Sequence, residues 1–272
     1  MSTRIAAIQM TSGPEVAPNL DTAGQLIADA AAQGAQLVAL PEYFPFIGAS
    51  DEARLAAREH PGNGPIQNFL SAAAKQHGIW IVGGTLPLDS GESDKLLNTC
   101  LVYDNHGEQV ARYDKIHLFA FRKGTEEYNE ARTIKAGESV VAFDSPVGRI
   151  GLGICYDLRF PELFRQAGAD KPIDLFILPA AFTETTGKAH WEVLLRARAI
   201  ENLCYVMAPA QGGRHPTGRM THGNSMIIDP WGEILARRDK DVGVIVADID
   251  PTRIARVRSN LPALDHAVLL KR

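Results

Sequence analysis

AQLVALPEYF (residues 35–44) is the stretch whose reading decides the fold. AQLVAL carries no charge and does not alternate polar with apolar, so it predicts a strand covered on both faces, stopped at Pro41. The pattern returns at IDLFILPAAF (173–182), at a constant offset of 138 residues, with Leu37/Leu175, Leu40/Leu178, Pro41/Pro179 and Phe44/Phe182 in register. The echo suggests two related halves packed together, with Glu42 in one where the other has Ala180.

Outward from these strands the chain alternates strands and helices without a linker or a low-complexity stretch. RIAAIQM (4–10) reads as a first strand. NLDTAGQLIADAAAQG (19–34) has apolar residues at helical spacing, with Asn19 as N-cap and Gly34 past the end. A second helix opens with Pro65 near its first position and ends at Gly78. IWIVGG is the next strand, and hairpins turn at 105–107, 145–148 and 229–232. A short helix from Pro161, a strand at IDLFIL, a helix over HWEVLLRARAIEN (190–202) and a strand at LCYVMAP complete the pattern. Mixed hairpins and βα units predict one α/β domain of two packed sheets with helices outside.

At 272 residues the chain buries a sizeable core without disulfides. Its net charge of −4 gives no reason to expect nucleic acid or an anionic membrane as partner. No apolar run approaches the roughly 20 residues that cross a bilayer, and the N-terminus predicts no signal peptide. Three cysteines, Cys100, Cys155 and Cys204, fit a reducing cytoplasm better than a disulfide framework, and no CxxC or CxH spacing suggests zinc.

Cys100 and Cys204 sit inside apolar runs and read as small core residues. Cys155, in GLGICYDLRFPELF (151–164), has two readings. It either closes a buried strand or is a nucleophile where strand gives way to helix, with backbone N–H groups aimed at the site. Glu42 follows a buried strand and sits among aromatics, as either a satisfied buried carboxylate or a desolvated general base. Lys115, in YDKIHLF, is either a solvated strand end or part of the same site.

Together LPEYF, YDKIHLF and GLGICYDLRFPEL resemble the nitrilase superfamily of carbon–nitrogen hydrolases, over essentially the whole chain. The resemblance implies a four-layer α-β-β-α sandwich, one domain over 1–272, pairing into at least a homodimer, and neither metal nor organic cofactor. It implies Cys155 as nucleophile, Glu42 as general acid/base and Lys115 as oxyanion stabiliser. Glu130, in YNEARTIKAG, is implied as a second glutamate that holds Lys115 and Glu42 in place. Tyr43, Tyr156, Phe182 and Thr183 are implied as substrate-binding residues. The chain looks most like the deaminated-glutathione amidase and ω-amidase branch. That implies a small-molecule partner: a terminal carboxamide of a small acid, of deaminated-glutathione or α-ketoglutaramate type, cleaved to carboxylate and ammonia through a thioester. A nitrilase or N-carbamoyl amide hydrolase would use the same residues, and an interaction protein that kept the fold would have lost the chemistry. One departure is that HLFAFRKG has Ala120 where the branch has an acid, and gains Arg122 and Lys123; Arg122 either meets an anionic substrate or is a solvated loop charge.

Overall fold

Strand β1 (Thr3–Gln9) shows why the core strands read as unbroken apolar runs. Ile5 and Ala7 face the space between two sheets, while Ala6 and Ile8 face the helices outside, so both sides of the pleat are covered. The computed structural model describes residues 2–124 and 126–268; the extreme ends of the expected 1–272 domain lie outside the described residues.

The first half runs α1 (Val16–Ala32), β2 (Leu37–Ala39), α2 (Asp51–Ala56), α3 (Pro65–His77), β3 (Trp80–Val82) and β4 (Leu86–Asp89). It continues through β5 (Leu96–Tyr103), β6 (Gln109–Asp114) and a small hairpin of β7 (Ala120–Lys123) and β8 (Glu126–Asn129). The second half runs β9 (Ala142–Ser145), β10 (Gly148–Leu152), a 3-10 turn over Cys155–Arg159, α4 (Pro161–Ala167), β11 (Leu175–Ile177) and α5 (Glu184–Asn202). It closes with β12 (Tyr205–Ala208), β13 (Gly212–Arg214), β14 (Met220–His222), β15 (Ser225–Ile228), β16 (Ile234–Arg238), β17 (Gly243–Ile249) and α6 (Pro251–Asn260).

One sheet has the order β17-β1-β2-β3-β5-β4, with β6 paired to β5; the other has the order β16-β15-β12-β11-β10-β9. The repeated stretches are the central parallel strands: β2 lies between β1 and β3, and β11 lies between β10 and β12. Leu37, Ala39, Val82 and Val102 from the first sheet meet Ile150, Leu152, Leu175 and Ile177 from the second in one continuous core. On the outer face of the first sheet, Val38 and Ile81 pack against Ala23 and Ile27 of α1 and Ile66 and Leu70 of α3. Phe164 of α4 and Trp191 and Leu195 of α5 cover the second sheet. The expected α-β-β-α order is the one observed.

Local signals for α3 hold at both ends. Pro65 occupies the first turn, and Gly78 ends the helix in the left-handed conformation that glycine adopts without a Cβ penalty. Asn19 is a correction. Helix α1 starts at Val16, and Asn19 lies inside it, its side chain accepting from Gly13 N and donating to the Gly13 and Pro45 carbonyls. It ties the helix to the loop after β1 instead of capping it. Helix α5 starts six residues before the expected HWEVLLRARAIEN, because Thr183 accepts from the Thr186 amide and caps an earlier first turn. Among the described residues no helix is long and apolar enough to cross a membrane.

Candidate active site

Four side chains named from sequence converge where the two sheets meet. Glu42 comes from the turn after β2 and Lys115 from the end of β6, both belonging to the first sheet. Glu130 opens a 3-10 turn after β8. Cys155 follows β10 of the second sheet. The turns that deliver them are unusual in backbone. Cys155 has φ +48 and Tyr43, next to Glu42, has φ +56, both in the left-handed region where a side chain carries strain. Surrounding bonds hold those strained residues: Cys155 N donates to Pro179 O at 2.9 Å, and Tyr43 N donates to Thr85 Oγ1 at 2.9 Å.

Lys115 is fully buried, with Nζ 2.8 Å from Glu42 Oε1 and 2.9 Å from Glu130 Oε2. A lone buried ammonium is prohibitively unfavourable, so the two carboxylates are what allow it to stay there. Burial acts to lower the Lys115 pKa, but Glu130 and Glu42 override it and hold the amine well above its usual range. Glu130 is the mirror case: burial acts upward, but the Lys115 charge and hydrogen bond keep its carboxyl below the usual value. Glu130 also accepts from Tyr43 Oη at 2.9 Å and from Phe119 N at 2.7 Å, which fixes both of its oxygens. Glu42 Oε1 takes a second donor, Asn98 Nδ2 at 3.0 Å, and no donor among the described residues occupies Glu42 Oε2. Sequence placed this carboxylate among aromatics; the structure adds an ammonium and an amide as its immediate neighbours.

Burial, then the Glu42 charge, pushes the Cys155 thiol well above its ordinary pKa, with Lys115 opposing. The resting thiol is therefore protonated, and ionising it requires a base in the site.

Beneath the cysteine lies a residue that sequence reasoning passed over. Asp157 is fully buried and accepts from Ile154 N (2.8 Å), Tyr113 Oη (2.7 Å) and His117 N (3.1 Å), with His117 Nδ1 at 2.7 Å. It joins the lysine loop to the turn that carries Cys155. Arg198 of α5 donates twice to Leu158 O, at 3.0 and 2.8 Å, and ties down the same turn. A carboxylate two residues after the cysteine, followed by Arg and Pro, was the available signal for the first. Nothing in the sequence singled out Arg198 for this contact.

Glu42, Glu130 and Cys155 open into a narrow cavity walled by Phe119, Tyr156, Phe182 and Thr183, with Arg159 and Arg219 also on its lining. Tyr156, Phe182 and Thr183, expected from sequence at a substrate, lie on the wall beside Cys155. Tyr43 does not line this cavity; it turns its hydroxyl to Glu130 and walls a neighbouring one. Arg122 is a correction. Its side chain is 75% exposed on the β7–β8 hairpin and pairs with Glu127 at 2.9 Å, because the hairpin carries its own acid to meet it. The cations at the cavity are Arg159 and Arg219, both overlooked, and neither has a carboxylate partner among the described residues. Arg159 lies 5.5 Å from the Phe182 ring centroid and 5.8 Å from that of Tyr156.

The carbon–nitrogen hydrolase family profile matches residues 4–259. The chain is 44% identical over 269 residues to the deaminated glutathione amidase of Synechocystis sp., covering 97% of this chain and 98% of that one. It is 38% identical over 260 residues to the omega-amidase NIT2-B of Xenopus laevis, covering 95% of this chain and 92% of the relative. Among solved structures it is similar to Nit3 of Saccharomyces cerevisiae, a member of branch 10 of the nitrilase superfamily. The TM-score there is 0.87, with 31% identity, 96% of this chain and 94% of that chain covered.

Proposed function

This chain belongs to the carbon–nitrogen hydrolase family, and on that premise we propose that Cys155, Glu42, Lys115 and Glu130 are the machinery of a cysteine amidase. Its substrate is the ω-amide of a short acid, of the kind named in its relatives deaminated glutathione amidase and omega-amidase. The observation that carries the reading is the buried Glu42–Lys115–Glu130 cluster opening onto the same cavity as Cys155.

Glu130 and Lys115 neutralise each other, so the cluster holds one further negative charge, and the reaction moves it. It starts on Glu42. As the substrate carbonyl settles over Cys155, Glu42 Oε2 takes the thiol proton and the charge passes to sulfur. Attack on the carbonyl carbon passes it to oxygen. Lys115 has three N–H donors, two of them committed to carboxylates, and the third is available to that oxyanion together with the Tyr156 amide. Tyr156 is in the first turn of the 3-10 segment, where N–H groups have no partner within the helix. Glu42 then gives its proton to the leaving nitrogen, the C–N bond breaks, and a thioester and an amine remain. Water, deprotonated by Glu42, adds to the thioester, and the acid leaves as Cys155 regains its proton.

Arg159, beside the Tyr156 and Phe182 rings and without a carboxylate partner among the described residues, suits the far carboxylate of the acyl half. The whole chain acts as one catalytic domain, in the cytoplasm and as a homodimer. A hydrolysis assay that reads the carboxylic acid and the amine or ammonia released, across ω-amide acids, simple amides, nitriles and carbamoyl amino acids, tests the reading. The ω-amide acids should be the best substrates, and Cys155→Ala should abolish release. Activity retained by that variant overturns the assignment of the nucleophile.

A further inference from the structure

We infer that Tyr43 is a positioning residue of the catalytic cluster: its hydroxyl, acting through Glu130, keeps Lys115 in register with Glu42 and governs turnover without touching the substrate. The inference rests on the amidase reading above, and it departs from the substrate-binding role implied for this tyrosine by sequence.

Two neighbours in the chain grip one ammonium. Glu42 Oε1 accepts directly from Lys115 Nζ at 2.8 Å. Tyr43 Oη donates to Glu130 Oε1 at 2.9 Å, and the same oxygen accepts from Lys115 Nζ at 3.0 Å. The Glu42–Tyr43 peptide closes these three hydrogen bonds into a ring, so that no member turns without disturbing the next. In extended backbone, successive side chains point to opposite faces, which would send Glu42 and Tyr43 apart. Tyr43 has φ +56, which breaks that alternation and brings both side chains to one cluster. The strained turn thereby acquires a purpose. It is held by Thr85, itself fully buried, whose Oγ1 accepts from Tyr43 N at 2.9 Å.

The aromatic ring is fixed as well: the guanidinium carbons of Arg54 and Arg219 each lie 5.9 Å from its centroid. A phenol has one proton to donate, and Tyr43 directs it to Glu130, so none is left for a substrate. Burial, then the Glu130 and Glu42 charges, holds this phenol well above its ordinary pKa, and it stays a donor throughout the neutral range. Without the hydroxyl, the Phe119 amide still holds Glu130 Oε2, but Oε1 is free to swing with Lys115, away from Glu42 and from the oxyanion.

Tyr43→Phe removes the hydroxyl and leaves the ring between its two arginines. On an ω-amide acid, kcat should fall about 10-fold, the order expected for one hydrogen bond to a charged group, with KM within about twofold of wild type. The same factor should appear on a simple amide, because the cluster serves the chemistry common to both. On a Glu130→Gln background, Tyr43→Phe should cost less than about threefold in kcat, since the group it acts through has already lost its charge. An unchanged kcat, a loss confined to one substrate, or an equal cost in both backgrounds overturns the inference. The last of these is also what a folding defect in Tyr43→Phe would produce, so the double-mutant cycle separates positioning from stability. Any of these results in a wild type that hydrolyses amides overturns the inference alone. A wild type that hydrolyses no amide overturns the amidase reading and the inference with it.

Discussion

Raising the pH from 7 to 10 should remove about 5 kcal/mol of folding stability, through the three cysteines. Cys100, Cys155 and Cys204 are free and buried. Burial pushes each thiol pKa upward, reinforced by Asp114 for Cys100 and by Glu42 for Cys155, while Arg258 opposes it at Cys204 without overcoming it. In the unfolded chain the same thiols titrate near about 8.5. Above that pH the unfolded state releases protons that the folded state retains, so the unfolded state gains and stability falls. A group whose folded pKa is raised contributes fully below its unfolded pKa and loses that contribution as pH rises. Integrated to pH 10, each thiol accounts for about 1.5–2 kcal/mol, a large share of a typical margin of about 5–15 kcal/mol. Lys115, also raised, acts in the same direction only above about pH 10.4, so the window stops short of it. Urea unfolding in the presence of a reductant, at unit pH steps, measures the slope. Cys204→Ala should lower stability at pH 7 yet lose about one third of the pH-dependent fall. A wild-type fall below about 2 kcal/mol, or an unchanged slope in Cys204→Ala, refutes the reasoning.

Asp157→Asn puts an NH₂ group against donors that now meet a carboxylate; it should cost about 2–4 kcal/mol in denaturant unfolding and lower kcat far more than it raises KM. Glu130→Gln leaves Lys115 with one carboxylate and should reduce kcat/KM about 10- to 100-fold. Because the Glu130 pKa is depressed in the fold, the variant should also lose the part of acid destabilisation that appears as pH falls through that depressed value, read by unfolding between about pH 5 and 3. Gly84→Ala places a Cβ 2.2 Å from Pro41 O at φ +53 and should cost about 2 kcal/mol or more, read as a lowered thermal midpoint. Arg122→Ala, which breaks an exposed pair, should change stability by less than about 1 kcal/mol and leave kcat/KM within about twofold.

The central strands were legible because two-sided burial writes itself into sequence as an apolar run, and the Pro at each end marked where the chain leaves the sheet. The offset between residues 35–44 and 173–182 even anticipated equivalent places in two sheets. What escaped was whatever depends on a partner distant in sequence. Asn19 looks like a cap until the Pro45 carbonyl comes to meet it. Arg122 looks like a free cation because Glu127 is a neighbour only once the hairpin closes. Arg219 lies in a stretch, GRHPTGRMTHG, with nothing to separate its arginine from a solvated one; the two tyrosine rings beside it come from 91 residues and more upstream in the chain. Glu42, Lys115 and Cys155 stood out for a different reason. Each sits near a strand's end with two readings open, and the resemblance of LPEYF, YDKIHLF and GLGICYDLRFPEL to one family chose between them without tertiary information.

Glu42 and Lys115 hang from one sheet and Cys155 from the other, across a core of Ala, Val, Leu and Ile. The site is therefore a gauge of how the two sheets are aligned. A slide of one over the other by a fraction of a side chain would leave every strand intact, every helix docked and every ion pair on the first sheet made, yet carry the sulfur away from its base. Substitutions in the apolar seam, far from any polar group, would then show up in turnover before they show up in unfolding, and selection on catalysis would reach into the middle of the hydrophobic core.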